Sequence, residues 1–350
     1  MISTTRLNAG DWVEVRSREE ILATLDSAGS LDGMPFMPEM LQFCGGSFRV
    51  SARAHKTCDT VNKTGGRKVR HAVHLENLRC DGSAHGGCQS DCLMFWHTSW
   101  LKDGRVSNVH RRTSEIACTE DKLRAATAGT AGEANEVVFS CQATRLPDFT
   151  QPLHWWDFRQ YLEDWTSGNV TAGTLTRSAT YVIYVGLIDL TGRVSYTVRR
   201  WLIQFYDWVQ QLRGGTRYPR LGGEIPTGAP TPIRELGLQP GESVRVLPFD
   251  ELRKTLNELN RNRGMYFDAE CVPFCGNSYK VRAVVHQIID ERTGKMIRLQ
   301  GRNVSLDGVW CRGLYGGRRM QCPRAIMPIW KETWLERCEH KSENAQSLLK

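Results

Sequence analysis

An internal duplication constrains the fold of this 350-residue chain more than any other feature of its sequence. The segment that begins GDWVEVRSREEILATL at Gly10 aligns with the segment that begins GESVRVLPFDELRKTL at Gly241, at a constant offset of 231 residues. The match runs without a gap through Phe43-Cys44-Gly45, which falls on Phe274-Cys275-Gly276. Self-similarity at a fixed offset is the sequence signature of a repeated structural module. We infer that the chain contains two copies of one module.

The alignment continues into a cysteine-rich part of each copy. Cys80 falls on Cys311, and after a three-residue insertion Cys88 falls on Cys322 and Trp96 on Trp330. The predicted organisation has five parts: module 1 over 8–103, a mixed and then helical, Trp-rich connecting segment over 104–216, a Pro/Gly linker over 217–240, module 2 over 241–338 and a polar tail over 339–350.

The sequence of each copy predicts a strand, a helix and then further strands. DWVEVR alternates with the period of a strand, and SREEILATLD begins with Ser17 and Glu20 in the spacing of a capping box. The closing stretches LMFWHTSWL and IMPIWKETWL predict a short amphipathic helix in each copy. The GDxVxV opening resembles the first strand of SH3-like or KOW barrels. We therefore expect an α+β protein with two small SH3-like β-barrel modules that carry inserted helices and are joined by a helical segment.

Twelve cysteines raise the question of their chemical state. The N-terminus has no basic stretch followed by an apolar one, so we expect no secretory signal and a cytoplasmic location. Because the cytosol disfavours disulfides, clustered cysteines there are more often metal ligands or redox thiols. The formal net charge of +8 permits an acidic partner but does not require one.

The densest cluster is LRCDGSAHGGCQSDC, residues 78–92. Its spacing Cys88-x3-Cys92 suits a zinc chelate, and glycines between the cysteines would let the backbone wrap round an ion. QSDC is also predicted to begin an apolar helix, whose first turn would favour thiolates. The predicted ligands of Zn²⁺ or an iron–sulfur cluster are Cys58, Cys80, Cys88 and Cys92. A second, related site is predicted in module 2 from Cys271, Cys275, Cys311 and Cys322.

Two resemblances accompany this cluster. CDGSAH is similar to the cysteine-to-histidine end of the CDGSH iron–sulfur motif, but His85 stands one residue late and the paired upstream cysteines are missing, so His85 is not counted as a ligand. CDGSAHGGCQSDCLMFWHTSWL and CPRAIMPIWKETWL together resemble an uncharacterised bacterial family of duplicated, cysteine-rich proteins with SH3-like modules. That resemblance implies no activity. The isolated Cys141 is expected to be incidental.

Three functions remain open at this point. The first is a metal- or iron–sulfur-binding accessory protein that acts with a partner protein. The second is a thiol redox or sulfur-transfer enzyme with Cys88 or Cys92 as nucleophile. The third is a basic nucleic-acid-binding tandem module, for which the candidate residues are GGRKVRH at 65–71 and Tyr315 with Arg312, Arg318, Arg319 and Arg324. A site filled by four cysteines leaves no open coordination position for a zinc hydrolase.

The connecting segment contains the stretch RVSYTVRRWLIQFYDWVQQLRGG, residues 193–215, which predicts a helix that ends at Gly214. Trp201, Phe205 and Trp208 recur on one face of it. One interpretation is that the helix packs on a barrel. The other is a peripheral membrane contact through residues 193–213, since Trp and Arg suit the membrane interface. No apolar run reaches the roughly 18 residues that a membrane-spanning helix needs.

Overall fold

A computed structural model describes residues 6–102, 118–131, 136–192 and 195–338. The described residues form two compact units. Unit 1 lies within Met1–Gly215, Gln287–Arg298 and Trp310–Met327, and unit 2 lies within Thr216–His286, Leu299–Val309 and Pro328–Lys350. The boundary between units therefore differs from the boundary between the two sequence copies, because two segments of the second copy belong to unit 1.

The strands are short and mostly antiparallel. In the first part of the chain they are β1 (Trp12–Val15), β2 (Ser30–Leu31), β3 (Met34–Pro35), β4 (Ser47–Arg53), β5 (Lys56–Cys58), β6 (Gly66–Val69), β7 (Ala72–Leu75), β8 (Trp96–His97), β9 (Leu101–Lys102), β10 (Thr130–Ala131), β11 (Val137–Val138) and β12 (Thr150–Leu153). After residue 216 they are β13 (Ser243–Val246), β14 (Arg261–Asn262), β15 (Met265–Tyr266), β16 (Ser278–Val284), β17 (Gln287–Ile289), β18 (Met296–Arg298), β19 (Asn303–Leu306), β20 (Trp330–Lys331) and β21 (Leu335–Arg337).

Helices fill the connecting segment and otherwise stay short. The α-helices are α1 (Arg18–Leu22), α2 (Glu120–Thr127), α3 (Leu146–Phe149), α4 (Arg159–Thr166), α5 (Ala172–Gly192), α6 (Tyr196–Leu212) and α7 (Phe249–Arg253). Segments of 3-10 helix, one or two turns long, lie at Pro38–Phe43, Thr98–Trp100, Ala269–Phe274 and Glu332–Trp334. The fold is α+β, as the sequence predicts. In the part of the chain that the structure describes, no helix has the length and apolarity required to cross a membrane.

Each unit contains a five-stranded antiparallel sheet, and the two sheets have corresponding strand orders. In unit 1 the order is β8-β7-β4-β1-β9, and in unit 2 it is β20-β19-β16-β13-β21. The central strand of each sheet has an irregular register at the same point, between Val50 and Ala52 in β4 and between Val281 and Ala283 in β16. A β-bulge of this kind bends a strand and increases its twist.

The cores of the two units are organised around matching aromatic groups. In unit 1 the ring of Phe36 packs edge-on against Trp96 and Trp100, with ring centroids 6.2 and 5.1 Å apart. In unit 2 Phe267 contacts Trp330 and Trp334 in the same way, at 5.9 and 5.3 Å. These edge-to-face contacts add to the burial of large apolar surfaces.

Local signals in the first copy fold as the sequence indicates. The Ser17 hydroxyl accepts the Glu20 N–H at 3.2 Å, and the Glu20 carboxylate accepts the Ser17 N–H at 2.9 Å, which completes the capping box of α1. The stretch VNKTGG connects β5 to β6, and DERTG connects β17 to β18, each as a hairpin.

The closing helices of the two copies were predicted wrongly. Trp96 pairs with Val73 as a strand residue, a 3-10 turn follows, and Leu101 then pairs with Val15. Trp96 and Trp100 are four residues apart, which suggests one face of a helix. The strand–turn–strand path places both rings in the core as well. It also pairs the backbone hydrogen-bonding groups along the edges of β7 and β1. The second copy repeats this arrangement.

Candidate metal centre

A tight glycine-rich loop brings the first cysteines of the cluster together. The N–H groups of His85 and Gly87 both donate to the carbonyl oxygen of Gly82, at 3.1 and 2.9 Å. Gly82 has a φ of +74°, and a Cβ atom at this position would collide with the backbone of Cys88. Only glycine meets both conditions without strain. The loop therefore folds back so that Cys80, His85 and Cys88 lie on one side of it.

His85 is at the centre of the group. Its Nε2 atom lies 3.6 Å from the Cys80 sulfur, and its Nδ1 atom lies 2.9 Å from Oε1 of Glu39. The same Glu39 oxygen is 3.8 Å from the Cys80 sulfur. Glu39, Cys80 and His85 together form a group of ligand-type atoms that are mutually close enough to hold a metal ion. The imidazole thus has thiols on one side and a carboxylate on the other.

Glu39 is a buried carboxylate that the 3-10 turn Pro38–Phe43 positions. Its Oε1 atom accepts the N–H of Ala84 at 3.2 Å, which ties the turn to the cysteine loop. Its other oxygen, Oε2, makes no hydrogen bond to any residue that the structure describes. Glu39 is not among the site residues predicted from the sequence. A signal for it existed, because Glu39 falls on Glu270 in the alignment of the two copies.

The charges in this group support one another. Burial would lower the pKa of His85, but its contacts with Cys80, Cys88 and Glu39 raise that pKa to about 12. Burial would raise the pKa of Cys88, yet the hydrogen bonds from His85 and Ser90 bring it below its ordinary value. Burial would raise the carboxyl pKa of Glu39, but the contact with His85 and hydrogen bonds from backbone N–H groups together lower it. A cationic imidazole between anions is therefore the favoured state without a metal.

Cys88 receives further support from the backbone. The N–H of Ile289, in the β17–β18 hairpin of unit 1, donates to the Cys88 sulfur at 3.4 Å. Ser90 lies 3.3 Å from the same sulfur through its hydroxyl oxygen. Hydrogen bonds to a thiolate lower its basicity and fix its orientation, as the outer partners of a metal ligand do.

A small cavity of about 30 Å³ adjoins His85. Four thiols line it, those of Cys80, Cys88, Cys92 and Cys141. Burial raises the pKa of Cys92 well above its ordinary value and also raises that of Cys141. Both thiols are therefore protonated and apolar, unless a bound cation offsets the cost of burying their thiolate forms. Among the cysteine and histidine residues that line the cavity, Cys141 and His85 are the two outside the ligand set predicted from the sequence.

Cys58, the remaining predicted ligand, lies with Cys322 instead. The backbone N–H of Cys58 donates to the Cys322 sulfur at 3.1 Å. A hydrogen bond between the two thiols raises the pKa of Cys58 and lowers that of Cys322. Both side chains are buried. Cys58 is not among the residues that line the cavity at His85.

The structure does not assemble the second predicted cysteine set within either unit. Cys271 and Cys275 belong to unit 2, whereas Cys311 and Cys322 belong to unit 1. Cys275 is partly buried and packs against the core of unit 2, where burial raises its pKa to about 12.

Two further expectations need correction. Residues 88–95 contain no helix in the structure, so the thiols of Cys88 and Cys92 gain nothing from a helix N-terminus. The basic side chain of Arg324, named above as a nucleic-acid contact, is buried and pairs with Glu291 at 3.1 Å. Its side chain therefore cannot contact the phosphate of a nucleic acid. Binding of nucleic acid stays a prediction from the sequence.

Comparisons of the chain with protein-family models, with curated proteins and with solved structures find no match in any of the three. The case for a function therefore depends on the residues of the chain themselves.

Proposed function

We propose that the chain is a metal-binding accessory protein that holds a single zinc ion at Cys80, His85 and Cys88 and acts with a partner protein. The observation that carries this proposal is the placement of His85, with Nε2 3.6 Å from the Cys80 sulfur and Nδ1 2.9 Å from Glu39. A carboxylate that orients the far nitrogen of a ligating histidine is the usual outer partner in zinc sites.

The spacing fits tetrahedral zinc. Zn–S and Zn–N bonds of about 2.3 and 2.0 Å at a tetrahedral angle separate sulfur and nitrogen by about 3.5 Å, close to the 3.6 Å between Cys80 and His85. Cys92 or Cys141, which line the same cavity, would supply the fourth ligand. Neutral imidazole and thiolate are the ligating forms, so zinc binding would release the proton that His85 holds without metal.

The size of the cavity favours one ion over a cluster. A cavity of about 30 Å³ has room for about two water molecules. An iron–sulfur cluster contains several iron and sulfide atoms and would need more space. The sequence leaves both cofactors open, and we favour zinc for this reason.

The test is elemental analysis of the full chain, purified without oxygen, together with its UV–visible spectrum. We expect about one zinc per chain, no acid-labile sulfide and no visible band. Iron with sulfide and absorption near roughly 400 nm would show that the site holds an iron–sulfur cluster instead of zinc. Protein without either metal, even after incubation with zinc and gel filtration, would overturn the metal-binding proposal.

A second candidate function is thiol chemistry at Cys88. The observation that favours it is the lowered pKa of Cys88 beside His85, which Glu39 contacts in turn. Thiolate, imidazole and carboxylate in this order form an activated nucleophile. Alkylation by iodoacetamide at pH 7 separates the candidates. If metal-free protein stays folded and Cys88 reacts more than about tenfold faster than the other thiols, thiol chemistry becomes the leading proposal.

We also propose that the two units are SH3-like copies of one duplicated module. Three observations support the duplication: the corresponding strand orders, the irregular register at the same point of β4 and β16, and the matched aromatic groups of Phe36 and Phe267.

The surface of α6 supports a contact with an anionic membrane surface. The side chains of Trp201 and Trp208 are 61 and 56% exposed, and Phe205 stacks on Trp201 with ring centroids 5.7 Å apart. Ile203, on the opposite side of the helix, is buried. The helix is therefore packed through the side of Ile203, and its aromatic face is exposed.

Positive charge accompanies these aromatic residues. Arg199, Arg200 and Arg213 lie on or next to α6, and Asp207 is the one acidic residue of the helix. Exposed Trp and Phe with arginines nearby suit the headgroup region of a bilayer that contains anionic lipid.

We expect the double variant Trp201→Ala/Trp208→Ala to bind vesicles of phosphatidylcholine and phosphatidylserine at least about tenfold more weakly, since two large apolar groups no longer insert. Vesicle co-sedimentation measures this. Trp12→Ala is the matched control, because Trp12 is 67% exposed on β1. Unchanged binding of the double variant, or no binding by the wild type, would contradict the membrane proposal and favour a protein partner.

A further inference from the structure

Each unit contains a cleft, and the two clefts are formed by corresponding positions of the two copies. The cleft of unit 1 has a volume of about 380 Å³ and that of unit 2 about 240 Å³. The alignment pairs their lining residues as follows: Asp32 with Arg263, Arg70 with Gly301, His71 with Arg302 and His97 with Lys331. The location is thus shared by the copies, while the chemistry of the lining differs.

The unit 1 cleft is balanced in charge. Lys68 and Arg70 line it together with Asp32 and Asp148. Burial, aided by the neighbouring His71, lowers the pKa of His97 to about 4, although Asp32 acts in the opposite direction. His97 is therefore neutral at pH 7, and this cleft has no excess of cations from these groups.

The unit 2 cleft has an excess of cations. Arg263, Arg302 and Lys331 line it together with one carboxylate, that of Glu235. Arg302 also lies 3.5 Å from the buried Glu332, and its side chain remains 40% exposed. Cations still outnumber carboxylates when Glu332 is included.

Lys331 shows most clearly that the carboxylates of this cleft do not balance its cations. Its side chain is buried, and its ammonium donates to the carbonyl oxygen of Gln300 at 3.1 Å. Burial and the charge of Arg263 lower its pKa. An ammonium has three N–H bonds, and in the described part of the chain this is its one hydrogen bond. A bound anion would accept from the others and offset the repulsion from Arg263.

We propose that the cleft formed by Arg263, Arg302 and Lys331 binds a small molecule through a phosphate group. A phosphate presents three oxygens, enough to meet all three cations, whereas a carboxylate presents two. The volume of about 240 Å³ is about eight times that of the cavity at His85 and suits a phosphate with a short organic group. The proposal goes beyond the metal site and does not depend on it.

The test is calorimetric titration of the full chain with inorganic phosphate and, separately, with glycerol 3-phosphate. We expect saturable binding that weakens by about tenfold or more in Arg263→Gln and in Lys331→Met, since each loses a charge-assisted hydrogen bond. Arg263 is exposed, so its replacement should leave the fold intact even if that of Lys331 does not. Tighter binding of glycerol 3-phosphate would identify a phosphomonoester as the ligand, and equal binding would identify free phosphate.

Arg245→Gln is the matched control, because Arg245 is an exposed arginine of unit 2 on β13 and does not line the cleft. It should bind phosphate as the wild type does. The proposal is overturned if Arg263→Gln binds as tightly as Arg245→Gln, or if the wild type shows no saturable binding at about 10 mM phosphate.

Discussion

Replacing Cys80 or Cys88 by serine is expected to lower the bound zinc from about one ion per chain to less than about a tenth of that. A serine hydroxyl remains protonated at neutral pH and is a poor zinc ligand, and the loss of one of four ligands opens the site to water. Elemental analysis after gel filtration, with a chelator present at a fixed concentration, measures the loss. Cys338→Ser should keep its zinc, since Cys338 belongs to unit 2 and does not line the cavity.

The same experiment separates the ligand set indicated by the structure from the set predicted from the sequence. Cys58→Ser should keep zinc if the site is the cavity at His85, because Cys58 lies with Cys322. Loss of zinc in Cys58→Ser together with retention in a His85→Ala variant would contradict our assignment. Comparison of Cys92→Ser with Cys141→Ser would then identify the fourth ligand, since both thiols line the cavity.

Glu291→Ala should destabilise the protein by about 3–5 kcal/mol, the largest effect on stability that we expect from a single substitution. Arg324 is 2% exposed and its guanidinium lies 3.1 and 3.2 Å from the two oxygens of Glu291. Burial would lower the pKa of Arg324, but the charge of Glu291 and of nearby thiols raises it, so the arginine stays charged. Without Glu291 a buried cation would lose its counter-charge.

Urea unfolding, followed by far-UV circular dichroism, measures this change in the free energy of unfolding. Asp307→Ala is the control: it removes the exposed ion pair with Arg282, whose atoms are 3.4 Å apart, and should cost no more than about 1 kcal/mol. The double variant Glu291→Ala/Arg324→Met should recover part of the lost stability, because it removes the unpaired charge as well. Equal effects of Glu291→Ala and Asp307→Ala would contradict this account.

The sequence predicts those parts of the molecule that local rules determine. The capping box of α1, the hairpin turns and the wrapping of glycines between Cys80 and Cys88 all depend on neighbouring residues. The tertiary structure brings Glu39 and Cys141 to the site of His85 from distant parts of the sequence. The spacing of residues along the chain therefore could not predict that either belongs to the site. The aromatic face of α6, formed by Trp201, Phe205 and Trp208, is a similar case, because the spacing of these residues predicts a helix face correctly but not whether that face is buried or exposed.

The closing helices show how a period can mislead. Residues four apart meet on one face of a helix, but a short strand followed by a 3-10 turn brings Trp96 and Trp100 to the same core. The choice between these paths depends on pairing with β7 and β1, partners about 20 and 90 residues earlier in the chain. A local pattern contains no information about such pairing.

The discontinuity of unit 1 has a consequence for synthesis. Cys58 and Cys322 meet within that unit although 264 residues separate them. At roughly 5–20 residues per second, a ribosome needs tens of seconds to travel between these two positions. Throughout that interval the nascent first copy lacks Cys322 and the β17–β18 hairpin, which contact Cys58 and Cys88 in the finished unit. Protection of those thiols while the second copy is being made is therefore a task for the cell as well as for the fold.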